Sequence, residues 1–314
     1  MDLFSHGLLG FVLGQALRLD PGAQIILIIS SVILDIDAIR TRRSAWFQFH
    51  RGPLHSFRGA TLVSLAISTA YAVLVRLPAE GFVSIVLICI GGSFSHVFLD
   101  LLTPRSMAVL WPFSNRKIAF DLTYFVDPIF LGVLLLASIA VVYVKNDVQM
   151  IQMATLVATV LLTANFGVRY YGRTSAIETV KRLNPDINPN VVPLPTLRPD
   201  RWWVAVKTPF DNGYCYEIYS VASLDNKILG KRTVKSPFVD YRGQVEPPVD
   251  SLQEAVVCSK RDKHVSAFIE KSRLPAVNVT LSDDGSTWQV FWYDVFTHLS
   301  EGVFRGVTVR VDID

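Results

Sequence analysis

The chain has 314 residues, a formal net charge of +3, 51% hydrophobic and only 18% charged residues, and a mean hydropathy of +0.37. So apolar a composition excludes a wholly soluble protein of ordinary make-up, and so small a basic excess gives no ground for a nucleic-acid partner. Cys89, Cys215 and Cys258 lack CxxC or zinc-knuckle spacing, so no disulfide framework is implied.

The apolar excess is uneven. Residues 1 to 168 hold nearly all the long uncharged runs, and a composition break near Phe166 to Thr174 opens a half with mixed charges and alternating aromatics. Met1 to His6 has no basic n-region and carries Asp2, so no cleavable signal peptide is expected. Two short apolar runs come first, Leu3 to Leu17 and Ala23 to Leu34, as short spans or a helical hairpin. Arg58 to Val75, Phe82 to Leu102, Pro128 to Val144 and Met150 to Val168 then come near the roughly 20 residues that a bilayer core of about 30 Å requires. The expected fold is an α-helical membrane domain of about four to six membrane helices.

Counting spans assigns the loops to faces. The N-terminus, Ile36 to Phe57, Thr103 to Asp127 and everything after Val168 share one side, which carries Arg40, Arg42, Arg43, Arg51, Arg58, Arg105, Arg116 and Lys117, against Arg18, Arg76 and Lys145 on the other. The positive-inside rule makes the first side cytoplasmic, in the cell (inner) membrane.

After the membrane domain (1–168), residues 169–200 read as a linker, extended and semi-rigid where five prolines fall between Asn184 and Pro199. Residues 201–314 read as a soluble α+β domain with an antiparallel sheet. Its strands start at Arg201, Tyr214, Ala276, Thr287 and Arg305, with Asp284-Gly285 as a hairpin turn and a helical stretch from Ser251. Trp202, Trp203, Trp288 and Trp292 read as sheet core, and His264 and His298 as surface residues.

Ionisable groups in or beside spans are costly and mark function. Here they are His6, Asp35, Asp37, His50, His55, His96, Asp100 and Asp127, and every one falls on the same face. His96 and Asp100, four apart, project from one side of a helix. Asp35 and Asp37, two apart, cannot share a helical face, so one lies beyond the helix end or supports a histidine. Gly52-Pro53 breaks any helix through HRGPLHS and lets His50 and His55 converge. Imidazoles with carboxylates suit divalent metal, zinc first, with manganese or iron as alternatives, and such a site lowers the pKa of bound water to about 7. Asp127 before Pro128 also suits a plain helix N-terminus.

SHG, DID, HRGPLHS, SHVFLD with Leu102-Thr103-Pro104, WPFS at Trp111 and VDP at Val126 occur in an order that resembles the YdjM/YbcI-like family of membrane proteins, described as metal-dependent hydrolases. The resemblance covers roughly residues 1 to 145. Leu54 stands where the family has Thr and Leu34 where it has Pro; neither removes a ligand. It implies the metal ligands His6, Asp35, Asp37, His50, His55, His96, Asp100 and Asp127.

The expected function is hydrolysis of an ester or phosphoester, lipid-linked given the depth of the site, with Asp37 taking the proton and Arg51 stabilising charge that develops on the substrate. The alternative is a metal-stabilised membrane scaffold or sensor. A transporter is disfavoured, because the opposite helix ends lack matching His or Asp.

Overall fold

The structure, a computed structural model, describes residues 1–36, 51–144, 147–183, 191–210, 213–236, 252–282, 285–301 and 306–312. They divide into two compact units, which meet in sequence between Tyr171 and Gly172.

The first unit is helical: α1 (Leu3–Ala16), α2 (Pro21–Val32), α3 (Phe57–Val75), α4 (Ala79–Leu101), α5 (Pro128–Val144) and the start of α6 (Val148–Leu183). Polar residues set the helix starts by accepting otherwise unpaired N–H groups. Asp2 caps α1, Asp20 with Pro21 behind it caps α2, and the Ser56 hydroxyl caps α3 through the Gly59 N–H. Among the described residues three helices are long and apolar enough to cross a membrane: α3, α4 and α6. At 17 residues, α5 falls short of the roughly 20 that a perpendicular span takes.

Small residues bring α1, α2, α3 and α4 close together. A Cβ on Gly92 would stand 2.8 Å from the Leu27 carbonyl oxygen, and one on Gly10 only 2.5 Å from the Ser31 hydroxyl. Buried serines join the helices, Ser64 Oγ donating to Ser93 Oγ at 2.9 Å and Ser93 Oγ to the Ser30 carbonyl at 3.2 Å. The end of α2, the start of α3 and the end of α4 thereby converge around a small apolar cluster of Leu34, Ala60, Val97, Leu101, Met107 and Val109.

The second unit holds two antiparallel sheets rather than the single sheet expected. One runs β1-β2-β3-β4 (Val191–Pro195, Arg201–Phe210, Gly213–Ala222, Lys227–Ser236) and the other β5-β6-β7 (Pro275–Leu281, Thr287–Asp294, Gly306–Asp312). The last turns of α6 bury Ala176 and Val180 against Trp202, Val204 and Val221 of the first sheet. Helices α7 (Leu252–Ser259) and α8 (Lys263–Lys271) cover the second, around Trp292, whose indole N–H donates to Ser259 at 2.9 Å. A short α9 (Val295–Glu301) follows β6. Trp202 and Trp292 are fully buried, as sheet core should be.

The expected linker is only partly irregular. Residues 169–183 continue α6 as helix, and Val191–Pro195 pairs with β2 as an edge strand, a position that tolerates Pro193 and Pro195 because one side of the strand needs no donors. Gly285 has the positive φ of a turn residue, +70°, between β5 and β6; Asp284 lies outside the described residues.

Candidate metal centre

Each side chain of the centre is delivered where a helix stops. After Val32, α2 tightens into a 3-10 turn, Ile33–Asp35, which places Asp35 beyond the regular helix. Gly52 and Pro53 open a second 3-10 turn, Pro53–His55, ended by the Ser56 cap of α3. Gly59 allows this turn to lie on the first turn of α3, since any Cβ there would collide with the Pro53 carbonyl and stand 2.9 Å from Leu54 Cα. His96 and Asp100 occupy one face of the last turns of α4.

These four residues converge so that one donor atom from each lies within 4.8 Å of all the others. His55 Nε2 and His96 Nε2 are 3.3 Å apart. Asp35 Oδ1 is 3.5 Å from both imidazole nitrogens, and Asp100 Oδ2 is 3.6 Å from His55 and 3.7 Å from His96. Around a tetrahedral ion with bonds of about 2.0–2.2 Å, ligand atoms stand about 3.3–3.6 Å apart. Four of the six donor separations therefore fall within the range of a tetrahedral zinc site, a fifth exceeds it by 0.1 Å, and the sixth, between the carboxylates, is bounded at 4.8 Å.

The surrounding bonds orient lone pairs toward the common centre. His96 Nδ1 is 2.8 Å from the Ser31 carbonyl oxygen. A carbonyl only accepts, so Nδ1 carries the proton and Nε2 presents its lone pair to the centre. Asp100 Oδ1 accepts from Arg51 Nη2 at 2.7 Å and also contacts the Met1 amine. Its other oxygen, Oδ2, is buried and accepts no hydrogen bond among the described residues. A buried carboxylate oxygen left in this state loses water without compensation, so an oxygen facing the Nε2 atoms of His55 and His96 fits a cation between them. The donor set of two imidazoles and two carboxylates suits zinc, manganese or iron. Burial is complete for His55, His96 and Asp100, whereas the Asp35 side chain is 16% exposed, so among the described residues of the centre Asp35 is the donor that reaches the surface.

Arg51 backs the centre. Its backbone is left-handed, φ +59°, a conformation that costs an L-residue about 1–2 kcal/mol. Its guanidinium donates to Asp100 Oδ1, to Thr103 Oγ1 at 2.7 Å and to the Arg105 carbonyl at 2.9 Å. These bonds direct Asp100 and satisfy carbonyl and hydroxyl groups at the end of α4.

The remaining expected residues divide three ways. His6 sits beside the four donors: fully buried, its ring stacks on His96 with centroids 3.8 Å apart, and its Nε2 is 3.5 Å from Asp100 Oδ1. Asp127 is not brought to the group. Its Oδ1 accepts from the Ile129 and Phe130 N–H groups at the start of α5, and its Oδ2 ion-pairs with Arg169 Nε at 2.7 Å, both side chains fully buried. Asp37 and His50 lie outside the described residues. Sequence reasoning did not assign Thr103, the Ser31 carbonyl or Arg169 to a site; Thr103 stood within the Leu102-Thr103-Pro104 motif, and Arg169 was a cation at the end of an apolar helix.

No curated protein and no solved structure matches the chain. The family model described as YdjM inner membrane protein matches residues 1–176, which include every donor of the centre. The chain belongs to the YdjM inner membrane protein family.

Proposed function

We propose that the protein is a membrane-embedded, metal-dependent hydrolase of a lipid-linked ester or phosphoester, working at the cytoplasmic face. The observation that carries this reading is the group of four donors with one orphaned carboxylate oxygen and a single partly exposed side, at Asp35. His55, His96, Asp35 and Asp100 would hold a divalent ion. Such an ion supplies Lewis acidity, polarising an acyl or phosphoryl oxygen and making water acidic enough to serve as a nucleophile near neutral pH.

The protein's own groups do the rest. The Ser31 carbonyl fixes the His96 tautomer, and Arg51 holds Asp100 in register. The apolar cluster of Leu34, Val97 and Leu101 keeps bulk water from the inner side, leaving approach past Asp35. Arg51, whose guanidinium is engaged by Asp100, Thr103 and Arg105, is better suited to positioning Asp100 than to meeting substrate directly. Asp37, two residues beyond Asp35, keeps its assignment as proton acceptor.

One observation favours the scaffold reading: the described residues alone supply four donors, enough for a tetrahedral sphere, as in structural zinc sites, whereas catalytic sites keep a position open. The test is hydrolysis of a panel of phospholipids and polyprenyl phosphates by purified, metal-replete protein. Turnover that disappears in His55→Ala and Asp35→Asn supports the hydrolase. Full metal content without turnover on any member of the panel overturns it in favour of the scaffold.

A further inference from the structure

The loop from α4 to α5 carries a patch that the metal centre does not use. Its base is fixed: Met107 and Ile118 pair backbone to backbone at 3.1 and 3.0 Å, Met107 and Val109 are buried with Leu34 and Leu101, and the Phe57 N–H donates to the Val109 carbonyl at 3.0 Å. Its tip is turned outward by bonds from Trp111 N–H to the Ala108 carbonyl and from Phe113 N–H to the Leu110 carbonyl. Leu110 and Trp111 are exposed there and Phe113 is 90% exposed, with Arg116 exposed three residues on. The bond to Phe57 sets this tip beside exposed Phe57 and Arg58 at the start of α3.

In water such a cluster would cost free energy at each exposed ring. Here it stands where α3 begins and α4 ends, two helices long and apolar enough to cross the membrane. Aromatic rings at the end of a span, interleaved with arginines, are the composition that settles in the headgroup layer, rings among the upper acyl chains and cations against anionic phosphates. We infer that Phe57, Arg58, Leu110, Trp111, Phe113 and Arg116 form an anchor seated in the anionic headgroup layer of the bilayer.

The anchor fixes the depth of the metal centre, because the same short segments carry both. His55 lies two residues before Phe57, and Asp100 lies in the last turn before the loop. On the hydrolytic reading proposed above, this deepens the substrate class: the scissile ester or phosphoester belongs to a lipid whose headgroup reaches the centre from the surrounding layer.

The experiment reads depth and not turnover, so its failure and the failure of the hydrolytic reading are separate results. Phe113→Cys, in the full chain with Cys215→Ser and Cys258→Ser, is labelled with an environment-sensitive fluorophore and placed in nanodiscs of phosphatidylglycerol and phosphatidylethanolamine. Asp225→Cys in the second unit is the control. The expected result is blue-shifted emission at position 113, quenched by lipids bearing a nitroxide near the headgroup, with a shift toward the water value on Arg58→Glu with Arg116→Glu. Water-like emission quenched only by soluble paramagnetic ions overturns the anchor. So does blue-shifted emission insensitive to lipid nitroxides, which would seat a protein surface on the tip.

Discussion

Two buried aspartates, Asp100 and Asp127, lie at helix ends in the same unit, and each meets an arginine distant in sequence. At Asp127 both oxygens are engaged, one by the first N–H groups of α5 and the other by Arg169. At Asp100 the arginine takes Oδ1, and Oδ2 is left facing two imidazoles and Asp35. The residue types are the same; the difference is whether the fold leaves one oxygen for an ion. An aspartate at a helix N-terminus meets unpaired N–H groups that satisfy it, whereas at a C-terminus it meets carbonyls that cannot. Asp100 therefore needs cations, and Arg51 and the Met1 amine, both on Oδ1, supply only part of that need.

Substitutions at the two sites should separate them, the largest effect coming from the centre itself. His96→Ala removes one of four donors and the group stacked on His6, and should reduce metal to trace amounts by elemental analysis while the protein stays in the membrane. Retention of stoichiometric metal would remove His96 from the ligand set. Next is Asp127→Ala, which leaves Arg169 buried without its carboxylate; breaking such a pair typically costs about 3–5 kcal/mol. Thermal unfolding in detergent should fall sharply, yet the folded fraction should keep its full metal, and loss of metal there would erase the distinction.

A smaller change is expected from Arg51→Lys, which keeps the charge but cannot reach Asp100, Thr103 and the Arg105 carbonyl together. Competition with a chelator should show metal affinity lowered by about 10-fold to 100-fold, the usual effect of removing a group that orients a ligand. Unchanged affinity would leave Arg51 free of the positioning role.

The smallest effect lies in the second unit. Lys231 Nζ is 2.6 Å from Glu217 and, with the Tyr219 hydroxyl, holds that carboxyl below its ordinary range. Stability from a lowered carboxyl is present above the unfolded value of about 4.3 and fades as pH falls through the folded value. The pair is partly exposed, so Glu217→Gln should cost at most about 1 kcal/mol at pH 7. The difference in melting temperature from wild type should shrink below about pH 4. A difference that persists there would assign it to packing.

Much of the centre was legible because spacing and helix punctuation constrain each other. The i, i+4 relation placed His96 and Asp100 on one side of α4, and Gly52-Pro53 announced the turn that swings His55 inward. The shared face of the ionisable groups was an expectation from counting spans that took in Asp127 as well, and only the tertiary partner Arg169 separates Asp127 from the donors. Nothing in the spacing tells which partner arrives. Arg51 was legible as a cation beside the site, but not its engagement with the end of α4, which depends on a left-handed backbone at a non-glycine residue. In the second unit, β2, β3, β5, β6 and β7 announced themselves by alternation. By contrast β1 is disguised by its prolines, and β4, KILGKRTVKS, by the many exposed polar residues of an edge strand.

Asp35, His55, His96 and Asp100 are proposed to hold one divalent ion together. X-ray absorption at the metal edge, on protein purified without chelator or affinity metal and then loaded with zinc, tests it most directly. The expected result is one ion per chain, with two imidazole nitrogens and at least two oxygens at about 2.0–2.2 Å, and loss of the imidazole scattering when His55 and His96 are replaced. Zinc bound with no imidazole in its first sphere, or no bound zinc in the folded protein, would contradict it.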